Sequence, residues 1–218
     1  MEDDITAVCI SRQMESWQIP EIPFLCFVDN WRPFGREKSR DRVAYLAERR
    51  NLAVARALSL YPSTRHVLMI DSYYIDQPGQ VRILLSEYDG KSILGGAVWF
   101  LDKTKLIPQI RFWDSWTTPE LKEVEFPPKM KGKVAVRSVG SCYLYPKGIW
   151  QQVGYGVPED LHGCEHNYLC ERSGLEVYLT LDANLWRQPL VYSWPKRIRQ
   201  TIHVGRLRKT SSNVCSSS

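Results

Sequence analysis

The residues of this chain best suited to do chemistry stand just past its strand-like runs. Ser11 and Arg12 follow the apolar run Ile5–Ile10, Asp29 and Asn30 follow Phe24–Val28, and Asp71, Ser72 and Tyr73 follow His66–Ile70. In open α/β sheets, ligands bind in the crevice at the carboxyl ends of the strands. Two carboxylates and an arginine are therefore expected to converge on one edge. Asp29 has a second reading of equal weight, as the cap of a neighbouring helix. A further group, His162, Cys164, His166 and Cys170, offers metal-ligand atoms. On a continuous helix the residues at 162, 166 and 170 would share a face, but Gly163 interrupts the segment and no C-x-x-C pair is present. That spacing favours a hydrogen-bonded loop histidine and a buried thiol over a zinc site.

The elements that must position these groups follow from periodicity. Ile5–Ile10 and Phe24–Val28 are short apolar and β-branched runs, read as buried strands. From about Arg36 to Leu60 the apolar residues Val43, Leu46, Ala47, Ala53, Val54, Ala57 and Leu58 fall near helical spacing, and Tyr61-Pro62 closes the helix. His66–Ile70 is uniformly apolar after its first residue, as a strand buried on both faces would be. A helix is expected at about Gln77–Tyr88, opened by Pro78, and a strand at Ser92–Phe100. Lys103–Lys133 has no clean period, with a short strand at Ile110–Trp113 at most. Strands at Val134–Val136 and Ser141–Tyr145, a helical turn at Ile149–Val153, a helix at Glu165–Arg172 stopped by Gly174, and a strand at Glu176–Thr180 complete the reading. The alternation predicts a single α/β domain over 1–205, Rossmann-like, with a mixed but mainly parallel sheet flanked by helices. Residues 206–218 form a basic, Ser-rich tail.

Composition narrows the classes further. The 218 residues are 44% hydrophobic and 24% charged, which excludes disordered and collagen-like chains. The net charge of +5 is unevenly placed. Arg187, Lys196, Arg197, Arg199, Arg206, Arg208 and Lys209 follow Asp182 with no acid among them, which leaves the body at −2. An acidic body argues against an extended nucleic-acid groove, so nucleic acid is not an expected partner. The tail fits diphosphate contacts, an anionic membrane surface, a less favoured role in binding nucleic acid, or plain solvation. Six scattered cysteines, two of them inside apolar runs, suit a reduced, cytoplasmic compartment. Ile93–Leu101, the longest apolar stretch, is about half the roughly 20 residues of a membrane span. No G-x-G-x-x-G follows the first strand, which disfavours dinucleotide oxidoreductases, and the Gly-rich loop of sugar nucleotidyltransferases is missing too.

Arg50-Asn51 on a helix, then a loop and an apolar strand ending in Asp71-Ser72, resembles the nucleotide-sugar half of the family 2 glycosyltransferases and their glycosyltransferase A fold. Gly140-Ser-Cys-Tyr-Leu-Tyr, Ile149-Trp-Gln-Gln-Val-Gly154, and Pro158-Glu-Asp-Leu-His-Gly-Cys-Glu165 leading into Leu169–Tyr178 extend the resemblance over most of residues 5–205. The resemblance implies a transferase that moves a hexose from a nucleotide diphosphate sugar to a hydroxyl acceptor on a glycan, lipid or protein. Ser11, Arg12, Asp29, Arg50, Asn51, Asp71, Ser72 and Tyr73 would hold the donor. It also implies a divalent cofactor, Mn2+ or Mg2+, held by a D-x-D motif against the diphosphate. Here that motif reads Asp71-Ser72-Tyr73, without the second carboxylate. Asp71 and His203 are the metal ligands the pattern leaves.

The family's acidic pair at the acceptor-side helix is Glu165-His166 in this chain, and Glu165 is the first choice of catalytic base, with His166 second. The competing reading of Glu165 is a favourable charge at the positive end of its helix. Trp113 and Trp116, in the aperiodic segment, are the acceptor-stacking candidates. The tail's bases would allow peripheral attachment where lipid-linked acceptors lie. A catalytically degenerate sugar-nucleotide-binding module is the alternative from another class.

Overall fold

A computed structural model describes residues 4–29, 39–102, 109–112, 128, 130–159 and 164–187. Its strands are β1 (Ile5–Ser11), β2 (Phe24–Val28), β3 (His66–Asp71), β4 (Ile93–Asp102), β5 (Gln109–Phe112), β6 (Lys133–Ala135), β7 (Cys142–Pro146) and β8 (Val177–Trp186). The helices are α1 (Arg40–Leu60), α2 (Pro78–Glu87), α3 (Lys147–Gln152) and α4 (Glu165–Arg172), with a 3-10 turn at Ser72–Tyr74. The strands form one sheet in the order β2-β1-β3-β7-β4-β8-β6, and β5 pairs with β4 outside that path.

The expectation of a mainly parallel sheet is corrected. β1–β2, β1–β3 and β4–β8 pair in parallel, but β3–β7, β4–β7, β4–β5 and β6–β8 are antiparallel. The sheet is mixed because β7 runs backwards between β3 and β4. Its run Cys142–Tyr145 is fully buried, and a uniformly apolar strand carries no mark of its direction. β1, β2, β3, β4 and β8 nevertheless all point the same way, so their carboxyl ends share one edge.

Side-chain alternation sorts the sheet into two faces. Val8, Ile10, Val67, Met69, Tyr143 and Tyr145 belong to the core cluster under α1, whereas Ala7, Cys9, Leu68, Ile70, Cys142 and Leu144 belong to the cluster under α2. Ser39 caps α1, its side-chain oxygen accepting from the Arg42 amide at 3.2 Å, so the helix begins later than Arg36. Ala47, Ala53 and Ala57 on its buried stripe let α1 lie close to the sheet.

β8 extends well past the expected Thr180. Its register against β4 slips between Gly96 and Ala97, so that Gly96 faces Thr180 and Ala97 faces Asn184. Asp and Asn are depleted in regular strands, and here they serve the bulge. Asp182 accepts from the Gly132 amide at 2.8 Å, and the Asn184 side chain donates to the Leu181 carbonyl at 3.1 Å. Cys9, Cys26, Cys142, Cys164 and Cys170 are free thiols. Among the described residues no helix is long and apolar enough to cross a membrane.

Candidate functional site

Arg50 organises the site. Positions 43, 47, 50, 54 and 57 form the buried stripe of α1, so its guanidinium points into the core with 7% of the residue exposed. A buried charge needs partners, and two carboxylates meet it. Asp71 follows Val67 and Met69 in the alternation of β3, which turns its side chain to the α1 face. Its Oδ1 accepts from Arg50 Nη2 at 3.1 Å, and Glu165 Oε1, at the start of α4, accepts from Arg50 Nε at 2.9 Å. Burial opposes the charge on Arg50, but Asp71 and Glu165 outweigh it and raise the guanidinium pKa well above its ordinary value. Burial likewise pushes the Glu165 carboxyl up, but the Arg50 guanidinium, by its charge and its hydrogen bond, holds it below the usual carboxylate range. Glu165 is therefore ionised, only 1% exposed, and its second oxygen, Oε2, has no hydrogen-bond partner among the described residues.

His166 is neutral. Burial first, and then the charge of Arg50, lower its pKa to about 4, against the raising effect of Glu165 and Asp71. Arg50 Nη2 lies 3.1 Å from Nε2, and an arginine can only donate, so Nε2 accepts and the proton sits on Nδ1. Nδ1 then donates to the Tyr143 hydroxyl at 2.9 Å, which continues to Tyr155 at 2.7 Å, and Tyr155 donates to Tyr145 at 3.1 Å. All three phenols are buried, which pushes their pKa values well above the ordinary one and keeps them as neutral donors. Both nitrogens of His166 are thus engaged in fixing the ring. Tyr143, Tyr145 and Tyr155 escaped the sequence reading as site residues. Their signal was a hydroxyl carried into otherwise apolar core, where it requires a partner.

The other expected donor residues divide into two groups. Asp71, Asp29, Ser11, Arg12, Ser72 and Tyr73 do share the carboxyl edge, since Ile10 pairs with Asp71 and Ser11 with Val28. Asp29 accepts from the Tyr45 hydroxyl at 2.5 Å and lies 3.6 Å from Arg49 Nε, both on α1, so it is tied to side chains of that helix and does not cap it, the cap being Ser39. Ser11 donates to Glu15 at 2.6 Å. Asn51 is turned toward the scaffold: Oδ1 accepts from Trp150 Nε1 and from the Tyr155 amide, and Nδ2 donates to the Tyr155 carbonyl, each at 2.9 Å. Gly154 makes this possible, because its φ of +67° reverses the chain beside Asn51 at a place where a left-handed backbone is needed. Tyr73 is 46% exposed at the rim. Trp113, Trp116, His162 and His203, and the tail after Arg187, lie outside the described residues.

The donor set does not fit a hard divalent cation at Asp71. Mg2+ and Mn2+ favour carboxylate oxygens, but Tyr73 offers a phenol where the motif needs a second carboxylate, and Oδ1 of Asp71 is engaged by Arg50. Ligand atoms of Cys164, Glu165 and His166 do lie within 4.8 Å of one another. A thiol and an imidazole suit a softer ion, yet the Arg50 guanidinium already places its positive charge on both Glu165 and His166. No protein-family model matches the chain, and no curated protein matches it.

Proposed function

We propose that the chain is a glycosyltransferase, transferring a hexose from a nucleotide diphosphate sugar to a hydroxyl acceptor. The observation that carries this reading is Glu165. A buried, ionised carboxylate is held through Oε1 by Arg50 while Oε2 has no hydrogen-bond partner among the described residues, and such an orphaned buried oxygen calls for a ligand donor. An acceptor hydroxyl donating to Oε2 fills that role. Its proton passes to Glu165 as the acceptor oxygen attacks the anomeric carbon and the bond to the diphosphate oxygen breaks, the electron pair leaving with the diphosphate. Arg50 and His166 position the base, and Asp71, at the exposed end of the same network, faces the donor side. An acceptor on a glycan, lipid or protein suits this chemistry; the scattered cysteines favour a cytoplasmic enzyme, and the basic tail favours peripheral contact with a membrane.

The test is release of nucleoside diphosphate from a panel of nucleotide sugars by wild type, Asp71→Asn and Glu165→Gln. Loss of the base should slow transfer by about 10²–10⁴-fold, with the fold checked by circular dichroism. Equal turnover in all three proteins would sink the assignment. Tyr73 in place of a metal-binding carboxylate favours one rival, a binding module that no longer turns over. Calorimetry separates the two, since such a module takes up nucleotide sugar without releasing product.

A further inference from the structure

Tyr73 occupies the place where the resembled family carries its second metal-binding carboxylate, and a guanidinium lies over it. The Arg187 Cζ is 5.2 Å from the centroid of the Tyr73 ring, a cation–π contact. The approach is built by the fold. Gln77 donates through Nε2 both to the Tyr73 carbonyl at 3.2 Å and to the Trp186 carbonyl at 2.7 Å, while its Oε1 accepts from the Trp186 amide at 2.8 Å. Arg187 is anchored in turn by its own amide, which donates to the Trp99 carbonyl at 2.9 Å. One glutamine thus clasps the end of β8 to the turn after β3. A positive charge from residue 187 is held two residues along from Asp71, at the edge where β1, β2, β3, β4 and β8 all end. Asp71, a carboxylate of that edge, is itself tied to Arg50, which partly neutralises its repulsion of a diphosphate.

We infer that Arg187, stacked on Tyr73, is the cation that binds the donor diphosphate, so that the donor is held without a divalent metal. This rests on the glycosyltransferase reading for the identity of the diphosphate as part of a sugar donor. The planar fork of arginine can grip two phosphate oxygens at once, which meets the electrostatic need that a D-x-D-bound metal meets elsewhere. Arg187 is also the first of the seven bases that follow Asp182 in the sequence.

The experiment is titration calorimetry of the full chain with inorganic pyrophosphate and with uridine and guanosine diphosphates, in EDTA and in Mn2+. Wild type should bind at least one of them in EDTA with an affinity within about threefold of that in Mn2+. Arg187→Ala should weaken binding at least about tenfold, and Arg187→Lys should recover only part, since lysine lacks the fork. Tyr73→Asp, which restores the second carboxylate, should make binding Mn2+-dependent. Binding by wild type only in Mn2+, equal affinity in wild type and Arg187→Ala, or no binding in either condition would overturn the inference. The outcome is separable from that of the transferase reading. EDTA-resistant, Arg187-dependent pyrophosphate binding without sugar transfer supports the cation and defeats the transferase. Transfer that needs Mn2+ and ignores Arg187→Ala does the reverse.

Discussion

Replacing Arg50 by methionine removes the charge but keeps most of the side-chain length, and its effect can be worked out from the contacts. Two carboxylates lose their partner, Glu165 at 2.9 Å and Asp71 at 3.1 Å. The Asp71 side chain is 32% exposed and can rehydrate; that of Glu165 is 2% exposed and cannot. The loss therefore falls on Glu165. Breaking a buried ion pair from one side costs about 3–5 kcal/mol, a large part of the 5–15 kcal/mol or so that holds a typical domain. For a chain of this size the melting midpoint should drop by roughly 6–20 °C. The pH dependence gives the sharper test. In wild type the folded Glu165 pKa lies below the unfolded one, so its contribution is full above the unfolded value of about 4.3 and is lost as pH falls through the folded value. Without Arg50 burial dominates and the folded pKa moves above the unfolded one. The penalty is then small near pH 4 and grows as pH rises toward neutrality. Urea denaturation at pH 4.5 and 7.5 should show a much larger cost at 7.5, and adding Glu165→Gln to the Arg50→Met protein should recover more than half of it. A cost below about 1 kcal/mol at pH 7.5, an equal cost at both pH values, or no recovery by glutamine would refute this account of the buried network.

Two further outcomes follow from the same geometry. His166 should titrate near pH 4, with Nδ1 protonated and Nε2 bare at neutral pH, so its ring nitrogens in long-range proton–nitrogen spectra should not move between pH 8 and 5.5; a midpoint near 6.5 would contradict the assignment. Because this folded pKa lies below the unfolded one, His166 also draws stability away as pH falls from about 6.5 to 4, when the unfolded chain gains the proton first. Asn51→Ala strands the Trp150 indole N–H, the Tyr155 amide and the Tyr155 carbonyl at once, and should cost about 2–4 kcal/mol in denaturant titrations. Preserved stability there would mean that Asn51 is kept free for a ligand instead.

How much of this was legible differs by element for physical reasons. Strand and helix positions followed from the apolar runs, and Gly174, with φ of +68°, ends α4 as expected. Strand direction did not follow, because a strand like β7, apolar on both faces, reads the same in either sense. The end of β8 was missed because Asp182 and Asn184 look like a stop, and only their side-chain bonds, Asp182 to the Gly132 amide and Asn184 to carbonyls of β8 and the Trp99 indole, turn the stop into a bulge. Arg50 was legible through the resemblance; that it stands in the stripe of Val43, Ala47, Val54 and Ala57 was missed, because the helical reading put the charges on the opposite face. Which carboxylates face it was not legible from spacing alone, since Glu165 lies 115 residues away.

The charge of Arg50 also explains why Glu165 and His166 behave as unequal partners. Standing next to one another at the head of α4, both looked able to take a proton near neutral pH. Arg50 can only donate. It therefore stabilises the ionised form of Glu165 and consumes the lone pair of His166 Nε2, while the tyrosine chain engages Nδ1. One buried guanidinium thus leaves the carboxylate to serve as proton acceptor in the proposed transfer, with the imidazole as its support. The arrangement has a cost in basicity, since the same ion pair lowers the Glu165 pKa. In the proposed transfer, a donor diphosphate that drew Arg50 toward itself would relax that hold and raise the basicity of Glu165 as the proton moves. A rise of the Glu165 carboxyl pKa on adding uridine or guanosine diphosphate, read by carbon NMR of the labelled carboxyl, is the expected result; no change with a diphosphate that demonstrably binds would show that Arg50 stays on Glu165 throughout.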